Sequence, residues 1–199
     1  MTQKFLPTIH TDRLVLRPLK PEDAQALFAI FSDQEVMRYW NTAPWASLDD
    51  AQDFIQTSSE AMDSQESMTL GIVQTTTSEL IGKCMLFNYE PGSKRAEIGF
   101  GIGRPHWGHG FVSEAGRALL AYGFDTLGLR RVEAEIDPKN VSSGETLERL
   151  GFVKEGLLRQ RWEINGVVSD SALYGLLAND HPAHHSSFKP LRGTAELIR

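Results

Sequence analysis

Residues 96–111 read Ala96-Glu97-Ile98-Gly99-Phe100-Gly101-Ile102-Gly103-Arg104-Pro105-His106-Trp107-Gly108-His109-Gly110-Phe111, a strand stripped bare on one face that runs into a glycine-rich turn opening a helix. With the two-residue period of a strand, Ile98, Phe100 and Ile102 point to one side and Glu97, Gly99, Gly101 and Gly103 to the other. Glycine weakens a strand interior, so glycines gathered on one face imply that something approaches that backbone closely. The expected visitor is an elongated ligand. Gly108 and Gly110 tolerate the dihedrals that aim several amide N–H groups at one anion. A helix beginning near Phe111 adds the positive end of its dipole, so the stretch is expected to hold phosphates.

Two common phosphate binders do not fit. A mononucleotide loop carries Lys-Ser or Lys-Thr after its last glycine, where this chain has Phe111-Val112. A dinucleotide fingerprint begun at Gly101-Ile102-Gly103 requires glycine at 106, which is His106.

The remaining pattern, a spaced glycine pair between a ligand-pairing strand and an amphipathic helix, resembles the Gcn5-related N-acetyltransferase (GNAT) superfamily. That superfamily's pyrophosphate loop has the form Gln/Arg-x-x-Gly-x-Gly/Ala, against Pro105-His106-Trp107-Gly108-His109-Gly110 here, with a departure at the first position. Trp107-Gly108-His109-Gly110 followed by Ser113-Glu114-Ala115 is similar to the branch of the RimJ/RimL ribosomal-protein N-acetyltransferases. So is Asn140-Val141-Ser142-Ser143 followed by Leu147-Glu148-Arg149-Leu150-Gly151-Phe152. Thr11 to Arg17 and the set Asn165-Gly166, Asp170 and Tyr174 extend the resemblance over almost the whole chain. It implies a mixed α/β fold of the α+β class: a central, mostly antiparallel twisted sheet, flanked by helices and splayed between its fourth and fifth strands.

Composition sets the frame. With 199 residues and 41% hydrophobic content, the chain is read as one domain over residues 1–180 with a C-terminal extension over 181–199. A formal charge of -6 and no basic stripe argue against general nucleic-acid binding and mildly favour a cationic acceptor. The single cysteine, Cys84, sits in the apolar run Ile81 to Phe87 and reads as a buried small hydrophobe rather than a nucleophile. No apolar stretch is long enough for a signal peptide or a membrane span, so a cytoplasmic protein with no membrane partner is expected.

Local signals place the other elements. Leu14-Val15-Leu16 reads as a first strand. Pro21-Glu22-Asp23 opens a helix whose apolar stripe is Ala24, Leu27, Phe28 and Phe31. A second helix starts after Ser47, with Asp50 three residues on. Met68 to Val73 and Leu80 to Phe87 read as antiparallel strands, and Arg131 to Ile136 alternates as a strand beside the glycine-bearing one. Ser142 and Glu145 suggest a capping box for the next helix. Asn165-Gly166 between two apolar runs signals a two-residue hairpin, which would set Arg161 opposite Asp170. The edge of that hairpin is a candidate homodimer contact.

Moving an acetyl group from a thioester to an amine requires a neutral amine, a stabilised oxyanion and a proton for the departing thiolate. The resemblance implies acetyl-CoA as co-substrate, no metal, and direct attack in a ternary complex on a protein N-terminal or small-molecule amine. It places the cofactor on Phe100, Gly101, Ile102, Trp107, Gly108, His109, Gly110, Phe111, Val112, Asn140, Ser143 and Arg149. Glu97, on the glycine-bared face, and Glu163, before the hairpin turn, compete as base; Glu97 also reads as a solvated strand-end charge near Lys94 and Arg95, and Glu163 as a structural ion-pair partner of Arg161 and Arg159. Ser143 is aligned to hydrogen-bond the thioester sulfur. The superfamily's tyrosine acid is replaced by Leu147. Trp40 and Trp45 either line the acceptor pocket or cover the core. His181, His184 and His185 have no fixed scaffold for metal binding. A CoA-binding sensor without catalysis is the rival class, and an antibiotic or polyamine acetyltransferase differs only in its acceptor.

Overall fold

A computed structural model describes residues 7–181. The chain runs β1 (Ile9–His10), β2 (Leu14–Pro18), α1 (Ala24–Phe31), α2 (Gln34–Met37), α3 (Leu48–Asp63), β3 (Met68–Gln74), β4 (Leu80–Glu90) and β5 (Arg95–Ile102). It continues with α4 (Phe111–Ala121), β6 (Arg131–Ile136), α5 (Val141–Arg149), β7 (Val153–Ile164) and β8 (Val167–Leu177). The eight strands form one sheet in the order β1-β2-β3-β4-β5-β6-β8-β7. Every pairing is antiparallel except β5 with β6. The short β1 adds one strand ahead of those expected, so the fourth and fifth expected strands are β5 and β6.

Strand alternation sorts the apolar residues to two faces. Leu14, Leu16, Leu70, Ile72, Ile98 and Val132 pack with Leu119 and Leu120 of α4 and Leu147 of α5. Leu27 and Phe31 of α1 and Ala51 and Ile55 of α3 form a second cluster, joined by the half-buried rings of Trp40 and Trp45. The helix starts follow the expected chemistry at α3, where the Asp50 carboxylate accepts from the Ser47 amide at 2.9 Å. At α5 the expectation changes. Asn140, two residues earlier than the anticipated Ser142, is the N-cap: its Oδ1 accepts from the Ser143 amide at 3.2 Å, and the Ser142 hydroxyl donates to the same oxygen at 3.1 Å. A side chain that collects both an amide and a hydroxyl terminates the turn better than Ser142, which it recruits.

The Asn165-Gly166 turn is tight, with both residues at positive φ and Ile164 paired to Val167. The strands beyond it are not in simple register. A bulge between Leu158 and Trp162 puts Gln160 at φ 51, and its amide donates to the Asp170 carboxylate at 2.8 Å. Arg161 is thereby displaced from Asp170 and lies 3.6 Å from Glu135 instead. His181, assigned to the extension, is buried against the Phe124 ring at 5.2 Å, whereas His184 and His185 lie outside the described residues. No helix among the described residues is long and apolar enough to cross a membrane.

Candidate active site

The parallel β5–β6 pair is short. Only Arg95, Ala96 and Glu97 pair with Arg131, Val132 and Glu133; from Ile98 onward the edge of β5 has no strand beside it. An ion network fastens the closed end of this splay: Arg95 and Arg131 both donate to Glu133, at 2.8 and 2.7 Å, and Arg131 continues to Glu155 on β7. Those carboxylates push the Arg131 pKa further up, against the effect of its burial. Beyond Glu97 the backbone groups of every second residue over 98–102 face the gap, the others being bonded to β4, and are able to pair with an extended ligand as they would with a strand.

The glycine turn sits at the open end. Gly108 and Gly110 have φ of 75 and 77, and a side chain at 108 would meet nothing within 4 Å, so dihedrals rather than space demand glycine at that position. Gly110 caps α4, leaving the first amides of the helix turned outward. The Trp107 indole donates to the Ile102 carbonyl at 2.9 Å, which braces the turn against the end of β5.

A second brace comes from the N-terminal segment, whose part the sequence did not announce. Glu114, in the first turn of α4, accepts from the Thr11 hydroxyl at 2.6 Å, the Arg13 amide at 2.8 Å and Arg13 Nε at 2.7 Å. Arg13 also donates to the His109 carbonyl at 3.0 Å and stacks over the Phe111 ring. Burial pushes the Glu114 pKa up, but the bonds from Thr11 and Arg13 hold it below its ordinary 4.5. Glu114→Gln is therefore expected to lower stability by about 1–2 kcal/mol near neutral pH, because a neutral amide replaces a charged acceptor. The lowered pKa means the carboxylate's contribution is present above 4.5 and fades as pH falls below it. Urea unfolding at pH values on both sides checks this.

The candidate chemical residues are spread around the splay. Glu97 occupies the last paired position before β5 separates from β6, and its carboxylate accepts from Asn88 Nδ2 at 2.9 Å. Ser143 is half-buried in the first turn of α5, fixed there by the Asn140 cap. Glu163 is exposed near the hairpin tip on β7, with β6 and β8 between its strand and β5. Two strands of the sheet therefore separate the two glutamates. Leu147 is buried in the core at 4% exposure, and the exposed Arg149 bonds to Thr146 and Glu145 along its own helix. Trp40 and Trp45 both pack on Phe31, with ring centroids at 5.6 and 5.1 Å.

The bared face has a different occupant from the one expected. A Cβ on Gly101 would stand 2.5 Å from Phe31 and 3.0 Å from Trp40, and one on Gly99 would stand 3.3 Å from Met85 and Phe87. These glycines make room for side chains of the protein itself. The same face contains Lys83, on β4 directly opposite Gly101, 5% exposed and enclosed by aromatic rings. Burial alone brings its pKa down from 10.5 to about 7. A lysine inside the run Leu80 to Phe87 was the signal for it. Its neighbour Cys84, pointing to the opposite face, is fully buried with its pKa pushed up to about 12, so it stays a thiol.

Comparison with known proteins agrees with this architecture. The family model described as "Acetyltransferase (GNAT) domain" matches residues 13–153. An uncharacterized N-acetyltransferase of Bacillus licheniformis is 38% identical over 176 residues, covering 88% of this chain and 99% of that protein. A spermidine N(1)-acetyltransferase of Escherichia coli is 25% identical over 182 residues, covering 92% and 94%. Among solved structures, a putative ribosomal-protein-serine acetyltransferase from Vibrio cholerae superposes with a TM-score of 0.75 at 27% identity, covering 86% of this chain and 97% of that one. The free β5 edge, the glycine turn and these relatives lead to one conclusion: the chain belongs to the GNAT family and is an acetyltransferase.

Proposed function

We propose that this chain transfers acetyl from acetyl-CoA to a primary amine by direct attack, on the RimJ/RimL-like branch of its family. The observation that carries the reading is the free edge of β5 over residues 98–102 leading into the Gly108–Gly110 turn and the start of α4. An extended amide-bearing arm pairs with such an edge, and a pyrophosphate suits the outward amides beyond it. In this reading Phe100, Gly101 and Ile102 line the arm, Trp107 to Val112 hold the pyrophosphate, and Asn140 and Arg149 contribute from α5. The acceptor nitrogen attacks the thioester carbon, the carbon–sulfur bond breaks, and Ser143 hydrogen-bonds the departing thiolate. With Leu147 buried, no tyrosine on α5 supplies that proton.

The acceptor is an α-amine of a protein N-terminus or a small amine; among the similar proteins one is named for ribosomal-protein serine and another for spermidine. Trp40 and Trp45 are its proposed walls, and Glu97 or Glu163 takes its proton. The test begins with binding. CoA is expected to raise the melting temperature, and Gly108→Asp, which puts an anion and a strained φ into the turn, is expected to weaken CoA binding more than about tenfold. Unchanged CoA affinity in that variant would sink the assignment of the loop. CoA release is then followed with a serine-initiated ribosomal peptide, spermidine and an aminoglycoside. Ser143→Ala is expected to lower kcat about tenfold with little change in KM, and whichever of Glu97→Gln and Glu163→Gln flattens the rise of rate with pH identifies the base.

A further inference from the structure

The acceptor side of the sheet already contains a primary amine. Lys83 Nζ lies 3.8 Å from the centroid of the Phe54 ring, 4.7 Å from Phe31 and 5.2 Å from Trp40. Among the described residues no carboxylate or hydrogen-bond acceptor meets it, and burial is the one influence on its ionisation. Buried lysines are almost always paired, so an unpaired one in the middle of a sheet is unusual. The other described lysines, Lys20, Lys94, Lys139 and Lys154, are all exposed.

We propose that Lys83 is a self-acetylation site, taking the acyl group of a thioester bound along the free edge of β5. The inference rests on the donor reading above. Lys83 and Gly101 are direct cross-strand partners, which places their backbones about 5 Å apart. Gly101 lies within the stretch of β5 that has no partner on its β6 side, and contributes no side chain. What stands over it are the rings of Phe31 and Trp40, side chains with rotatable bonds rather than backbone, and Trp40 is only half-buried, in the connection between α2 and α3.

The chemistry of the amine suits the step. Near pH 7 roughly half the population is neutral, whereas a solvent-exposed lysine is almost wholly protonated there. The Nζ lone pair attacks the thioester carbonyl carbon, a carbon–nitrogen bond forms, the carbon–sulfur bond breaks, and the proton lost by nitrogen ends on the CoA thiolate. The products are a neutral N-acetyl-lysine and free CoA. Acetylation removes the charge whose burial is unfavourable, so the aromatic enclosure favours the product.

Peptide mass spectrometry of the whole chain incubated with acetyl-CoA tests this. The expected result is a gain of about 42 Da on Lys83, appearing at least about tenfold faster than on the four exposed lysines. Excess CoA should slow it, and Lys83→Arg should abolish it. If acetyl-CoA raises the melting temperature yet Lys83 stays unlabelled, or is labelled no faster than the exposed lysines, the proposal fails and the donor reading stands. Labelling that excess CoA does not slow comes from solution rather than from the site, and also overturns it. If acetyl-CoA leaves the melting temperature unchanged, the donor reading falls and the proposal falls with it.

Discussion

Lys83→Met is expected to stabilise the protein by about 4 kcal/mol at pH 7. Moving the lysine pKa from 10.5 to about 7 corresponds to roughly 5 kcal/mol against burying the charged form at low pH, of which about 4 kcal/mol applies at pH 7, where the buried amine is already half neutral. Methionine keeps the unbranched shape and removes the ionisation. The sign follows from proton counts. Between pH 7 and 10.5 the unfolded chain holds the lysine proton more firmly than the folded chain, so the stability of the native protein rises with pH across that window. The methionine variant lacks this dependence. Urea unfolding at pH 6, 8 and 10 should therefore show a gap between the two proteins that is widest at the lowest pH and narrows steadily. A gap that stays constant would mean that Lys83 is not desolvated.

Gly82→Ala is expected to be the most damaging small substitution in the sheet, with a loss on the order of 3–5 kcal/mol. A Cβ at position 82 would stand 2.2 Å from the Gly101 carbonyl oxygen and 2.9 Å from the Ile102 Cα. Both are backbone atoms, so no rotamer change relieves the contact. The only relief is to move β5 away from β4, which breaks ladder bonds and displaces residues 101 and 102. On the reading above, CoA affinity falls together with stability. Gly92→Ala is the control. Its nearest contact is the flexible Glu90 side chain at 3.6 Å, and its effect should stay within about 0.5 kcal/mol. Denaturant midpoints of the two variants, with CoA protection measured alongside, decide the matter.

What could be read from residues 96–111 was backbone geometry. The αL dihedrals at Gly108 and Gly110, the helix beginning at Phe111 and the alternation of Ile98 and Ile102 into the core all follow from local rules. The tight Asn165-Gly166 turn and the capping pair Ser47–Asp50 belong to the same class. Local rules failed where a distant side chain competed. Asn140 takes the cap in place of Ser142, the bulge at Gln160 shifts Arg161 from Asp170 to Glu135, and Phe31 and Trp40 fill the space over Gly101 that the sequence pattern assigns to a ligand.

The sequence by itself determined the glycine turn, the strand before it, the helix after it and the family to which that combination points, because each depends on dihedral preferences and periodicities within a few residues. Only the tertiary structure decided where β5 leaves β6, that Glu97 and Glu163 stand at separate places, that the Thr11–Arg13 segment clamps α4 through Glu114, and that an unpaired lysine lies across from Gly101. Those facts depend on which strands become neighbours and how deeply a charge is buried. A one-dimensional pattern carries neither, since pairing and desolvation arise only when segments far apart in the chain pack against each other.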